Sequence, residues 1–170
     1  MIVIGIDPSL TCTAVVKSDA PAEVRFVIPS VAVAQPRQRH RVIHSDGRSF
    51  ASNYTPTDSP VNAFKAAAQV AASQAYQGEP LTGPLVMHVL FVMPRPKSKM
   101  TGAWKKAGKP RTPHTGKPDR DNLMKSLQDA LNGLVYVDDS QIWDGRVVKC
   151  IAGDEQAHVE VVVQVKEAGL

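Results

Sequence analysis

Apolar and polar positions along this chain repeat with two periods, near two and near 3.6 residues, and the switches between them divide it into elements. Residues 1–6 are a short apolar run ending at Asp7, and residues 11–16 could pair back on it as a hairpin. After a joint at 19–22, residues 24–29 and 31–34 read as strand, with Pro29 marking an edge or bulge. Residues 42–57 carry the turn signals Asp46-Gly47 and Tyr54-Thr55-Pro56 and predict a hairpin or an irregular loop. Helical spacing then takes over. Asp58-Ser59-Pro60 is a helix start, Val61, Phe64, Ala68, Ala71 and Ala75 form its stripe, and Gly78 ends it. Residues 84–94 are apolar and rich in β-formers, which predicts a central strand with His88 as a satisfied buried histidine. A second helix is written by Leu123, Leu127, Ala130, Leu131 and Leu134, with Asn132-Gly133 as its stop. Residues 146–151 and 158–165 read as closing strands around a turn at Gly153-Asp154-Glu155.

At 170 residues, 43% apolar and 21% charged, the chain suits one globular domain rather than a disordered tail. Residues 1–6 lack a basic lead, which argues against a signal peptide, and no apolar run is long enough to cross a bilayer. Cys12 and Cys150 are too few for a disulfide framework or a cysteine-rich zinc site, so a reducing cytoplasm is the expected setting. The net charge is only +4, but its distribution is uneven. Between 95 and 120 stand Arg95, Lys97, Lys99, Lys105, Lys106, Lys109, Arg111, Lys117 and Arg120, opposed only by Asp119. Arg37, Arg39 and Arg41 form a second basic group. Both groups suit phosphate contacts, and Trp104 could stack on a base. A solvated basic loop is the alternative for each.

The chemistry concentrates in residues 117–142. Asp119 and Asp121 flank one residue, so in an extended segment their carboxylates lie on one side, about 7 Å apart, where they could share a cation. Asp121 also falls at the start of the second helix, where an acid can serve the free N–H groups. Lys125 follows four residues on, as a surface ion-pair partner of Asp121 or as a fixed charge. Asp138-Asp139 fits a turn between apolar segments or further ligands, and Asp129 suits polar support of the helix.

The run Lys117-Pro118-Asp119-Arg120-Asp121-Asn122-Leu123-Met124-Lys125, then Asp129-Ala130-Leu131-Asn132-Gly133, then Asp138-Asp139-Ser140-Gln141-Ile142, resembles the signature of the RusA family of Holliday-junction resolvases. The similarity extends over roughly residues 24–165. It implies a small α/β (α+β) domain over 23–170, a mixed sheet with helices packed on it, and a homodimer. It also implies a magnesium-dependent endonuclease, with Mn²⁺ as substitute, that resolves branched DNA by paired phosphodiester cleavage in recombination and repair, in a phage or prophage. Carried over position by position, the catalytic set is Asp119, Asp121, Lys125 and Asp139. The metal ligands are Asp119, Asp121 and Asp139, with Asp138 ranked below them. DNA contacts fall to Arg37, Arg39, Arg41, Lys97, Lys99, Lys105, Lys106, Lys109, Arg111, Lys117 and Arg120. A broader flap or fork endonuclease and a non-catalytic junction-binding module are the alternatives. The extension at 1–22 stands outside this likeness and resembles the opening strand of RuvC-like nucleases, where an acid at the place of Asp7 binds metal. The further acids of that fold have no counterpart in order here.

Overall fold

The computed structural model describes residues 23–36, 39–45, 48–54, 56, 58–96 and 110–166. The expected extension at 1–22 with Asp7, the basic residues Arg37, Lys97, Lys99, Lys105, Lys106 and Lys109, and Trp104 lie outside them.

The architecture is α+β. In chain order the elements are β1 (Glu23–Ile28), β2 (Arg39–Ser45), β3 (Arg48–Tyr54), α1 (Pro60–Ala75), β4 (Leu85–Met93), β5 (Thr112–Pro113), α2 (Arg120–Leu131), a 3₁₀ turn (Asp139–Gln141), β6 (Ile142–Asp144), β7 (Val147–Ile151) and β8 (His158–Val165). The main sheet runs β1-β8-β4-β7-β5, with β6 also on β4. β4 is central: β8 lies antiparallel on one side, and β6 and β7 lie parallel on the other. β2 and β3 form a separate antiparallel ribbon, with Arg39 opposite Tyr54 and Arg41 opposite Ser52.

Alternation explains the layering. Val24, Phe26 and Ile28 of β1, Val159, Val161 and Val163 of β8, and Leu85, Met87, Val89 and Phe91 of β4 are buried on one face. They share a core with Phe64 and Ala68 of α1 and with Leu123, Leu127 and Leu131 of α2. Each fully buried leucine contributes about 1.5–3 kcal/mol of transfer free energy, so this face drives the packing of both helices. Among the described residues the opposite face keeps a small cluster of Val92, Cys150 and Ala152.

Three expectations change. Residues 31–34 are not strand: the backbone N–H of Gln35 donates to Asn122 O (3.0 Å) and Val33 O accepts from Ser126 Oγ (2.6 Å), so this segment lies along α2. Ser126 is accordingly buried with its hydroxyl satisfied. His88 is exposed rather than buried, its Nδ1 accepting from the N–H of Arg146 (3.0 Å). The third concerns Leu134 alone, which lies beyond the second helix: the helix ends at Leu131, at the expected Asn132-Gly133 stop, with Gly133 turning the chain at φ +71°.

Candidate active site

α2 delivers the acidic end of the site. Asp119 is its N-cap, in extended backbone, and its carbonyl accepts the first helical bond, from Leu123 N (3.1 Å). Its carboxylate makes no capping bond. Asp121 lies inside the first turn, so only Asp119 has the extended geometry the spacing suggested. Both acids are exposed at the positive end of the helix dipole. Among the described residues neither has a side-chain partner, and Asp121 and Lys125 form no ion pair. Among the described residues Asp119, Asp121, Lys117, Arg120 and Lys125 are exposed and have no side-chain partner, and they run from just before α2 to its middle.

Lys149 of β7, which sequence reasoning passed over, holds that end in place. Its ammonium donates to the carbonyls of Gly116 (2.7 Å) and Pro118 (2.6 Å), the residues that lead into Asp119. The Lys117-Pro118 peptide between them is cis. One signal was available: a lysine inside the apolar run Val147-Val148-Lys149-Cys150-Ile151 calls for a partner. Lys149→Met is expected to lower stability by about 1–3 kcal/mol in urea unfolding, the worth of charge-assisted hydrogen bonds. Lys149→Arg should lose less. Unchanged stability in Lys149→Met would show that residues 116–118 hold their shape unaided.

The other acids lie at the far end of α2. Tyr136 packs back on its last turns, its hydroxyl donating to Gln128 O (3.2 Å), and Gly133 N donates to Tyr136 O (2.8 Å). Burial pushes the Tyr136 phenol up, and the nearby carboxylates of Asp139, Asp129 and Asp138 push it further. Asp138 caps the 3₁₀ turn: its carboxylate accepts from Ser140 N (2.9 Å), and its own N–H donates to Gln141 Oε1 (2.9 Å). The Ser140 hydrogen bonds hold its carboxyl below the ordinary range. Gln141 in turn donates to Leu81 O and Gly83 O, fixing the turn to the start of β4. Asp139 is half-buried, and its carboxylate has no partner among the described residues. Asp129 pairs with Lys65 of α1 at 3.0 Å, the structural support expected of it.

α2 has 12 residues, a length of about 18 Å at 1.5 Å per residue. Asp119 and Asp121 stand at its first turn, while Asp138 and Asp139 follow its end, beside the Tyr136 that packs back on Gln128. Among the described residues no three His, Cys, Asp or Glu side chains are placed to hold a metal ion. The donor chemistry of Asp119 and Asp121 suits a hard divalent cation, and among the described residues it stops at these two carboxylates.

Of the basic residues, Arg39 and Arg41 fall in β2. Arg111 is committed to Glu155 (2.7 Å) and Glu160 (3.1 Å), and Arg95 donates to Ala152 O (2.7 Å). Backbone hydrogen bonds and the Arg111 guanidinium lower the Glu155 carboxyl to about 2. The two arginines bracket the basic stretch and tie both its ends to the strand ends at 152–160.

The family model described as Endodeoxyribonuclease RusA matches residues 29–164, which include every element from α1 to the end of the acidic turn. The chain belongs to the RusA family. As a RusA protein it is an endodeoxyribonuclease, a hydrolase acting on phosphodiester bonds, in a family that acts on Holliday junctions and typically depends on divalent metal. The RusA chain is also 41% identical over 103 residues to "Uncharacterized protein YqaN" of Bacillus subtilis (strain 168), a match covering 59% of this chain and 71% of that protein. No helix among the described residues of this RusA member is long and apolar enough to cross a membrane.

Proposed function

We propose that this RusA protein is a magnesium-dependent resolvase that cuts four-way DNA junctions in pairs as a homodimer, in a phage or prophage recombination setting. The observation that carries the reading is the start of α2: two exposed carboxylates, Asp119 and Asp121, without partners among the described residues, beside the open cations Lys117, Arg120 and Lys125. A fold normally pairs or caps such groups; groups left open and fixed by Lys149 suit a ligand that brings both a phosphate and a cation.

Asp119 and Asp121 would hold Mg²⁺, or Mn²⁺ in its place, as the carboxylate donors, with water completing the shell. The bound ion supplies positive charge at the scissile phosphate and an acidified water. Lys125 is a fixed positive charge one turn further along the same helix and stabilises the charge that builds on the phosphate oxygens. Lys117 and Arg120 place the strand by backbone contacts that carry no sequence information. Arg39 and Arg41 in the β2–β3 ribbon, with the basic residues of 97–109, hold the junction arms.

A synthetic four-way junction, a flap and a fork of matched sequence decide the substrate. With Mg²⁺ the junction should be cut in paired positions, about tenfold or more faster than flap or fork, a difference of about 1.4 kcal/mol in the barrier. Faster cleavage of flap or fork would replace the resolvase reading by that of a broader structure-specific endonuclease. Binding of all three without cleavage would leave a junction-binding module.

A further inference from the structure

β1 ends the main sheet: it pairs with β8 on one side and, among the described residues, with no strand on the other. A bare edge of this kind is a ready template for another extended chain, and folded proteins cover or blunt it. Beside it lies a groove of about 390 Å³, with Val27 and Pro29 on the strand side and Ala66, Ala67, Val70 and Gln74 of α1 on the other. None of these side chains is charged.

α1 has the composition of a helix that is covered there. Of its 16 residues only Lys65 is charged, and Lys65 turns to Asp129 of α2. A helix bordering solvent ordinarily shows a charged or polar outer face. α1 instead exposes Ala63, Ala66 and Val70 (57% exposed), and Val27 of β1 is 54% exposed beside them. The chain itself supplies an occupant. Residues 1–22 lead straight into Glu23, the start of the bare edge. Residues 1–16 carry ten apolar side chains against one charge, Asp7, which matches an uncharged groove. Residues 17–22 have the usual length of a connection between neighbouring elements, and residues 11–16 equal in number the six residues of β1. The family match begins at residue 29, so this edge and the segment before it lie outside the RusA pattern.

We propose that residues 1–16 of this chain occupy the groove, with residues 11–16 pairing along the free edge of β1 and the apolar side chains of the segment seated against Ala66 and Val70 of α1. Main-chain hydrogen bonds supply the attachment and the groove selects the side chains, the mode by which extended segments add to sheet edges. The segment so placed turns a bare edge and an apolar patch into interior. It also gives the RuvC-like opening a use that asks for no metal at Asp7. The docking stands apart from the nuclease reading, since Asp119, Asp121 and Lys125 take no part in it.

Hydrogen–deuterium exchange on the full chain, read by mass spectrometry, is the test. In the wild type, peptides covering residues 2–16 should exchange about tenfold or more slowly than the same peptides free in solution. Ala66→Glu with Val70→Lys puts charge into the groove while keeping α1, because both new side chains are good helix formers at a favourable i,i+4 spacing. This double variant should lose about tenfold or more of the protection over residues 2–16 and over β1, with β4 and α2 unchanged. Val70→Ala, which leaves the groove apolar, should keep it. Exchange of residues 2–16 at the free rate in the wild type overturns the proposal without any variant. Protection that survives the double variant places the segment elsewhere and overturns it too. A change of mass in sedimentation with the double variant would give the groove to a second copy of the chain, which also overturns it. Should the double variant disturb β4 or α2, Ala66→Glu alone is read in its place, with the same outcomes.

Discussion

Asp121→Asn is expected to lower junction cleavage by on the order of 10²–10³-fold or more while leaving the protein folded and bound to the junction, because it removes charge that acts in the transition state. The structure separates the two effects. Asp121 is exposed and makes no side-chain contact among the described residues, so its replacement disturbs no packing. The loss of an acid from a first helical turn costs about 0.3–1 kcal/mol, a small share of the stability of a domain. Binding rests on cations elsewhere and on this helix's own Lys125 and Arg120, and removal of a negative charge beside DNA does not weaken it.

Its neighbours supply the contrast. Asp138→Ala removes a carboxylate already engaged as a cap to Ser140 N, and should cost about 1 kcal/mol of stability. Asp129→Asn breaks the half-buried pair with Lys65, so its effect should appear in unfolding rather than in cleavage. Gel-shift titration for binding and single-turnover cleavage for chemistry distinguish these outcomes. If Asp121→Asn and wild type cut at equal rates, the first turn of α2 is not the site, whatever the family match implies for the rest of the chain.

Local period made most of the elements legible. α1, α2, β4, β7 and β8 each carry an apolar repeat longer than a turn, and each stands within a few residues of its expected place. The misses have physical causes. Val31 to Ala34 alternates like a strand, but its backbone partners are on α2, and no local pattern encodes a bond from Ser126 to Val33. β5 and β6 are two and three residues long, too short for any period. His88 was expected to be buried because its neighbours are apolar on both sides, yet the helices cover only one face of the sheet. β6 is cut off by Gly145, where a Cβ would stand 1.9 Å from Met87 O. For the site, the residue types were legible but their distribution was not: Asp121 and Asp139 are close in sequence, and the helix between them carries one to each end.

Leu127→Ala is expected to cost about 2–5 kcal/mol, the range for emptying a fully buried leucine site, and to be the most destabilising of the substitutions considered. Leu127 is 0% exposed and sits in the one core cluster that joins α2 to the sheet and to α1. Its surroundings are poorly able to collapse. Ser126 beside it is pinned by bonds to Val33 O and Leu123 O, and Lys65 and Asp129 hold α1 against α2. A void there stays open and loses its contacts outright. Val70→Ala on α1 is the control, since Val70 is exposed and should change stability by no more than about 0.5 kcal/mol. Urea unfolding should show a lower midpoint with an unchanged slope for Leu127→Ala. Junction cleavage per folded molecule should stay near wild type at low temperature, because Asp119 and Asp121 are placed by Lys149 from β7 as well as by the helix. Activity should then be lost on warming along the unfolding curve of the variant. A cost below about 1 kcal/mol would mean that α2 is not held by this core and that the site it carries is less rigid than its contacts imply.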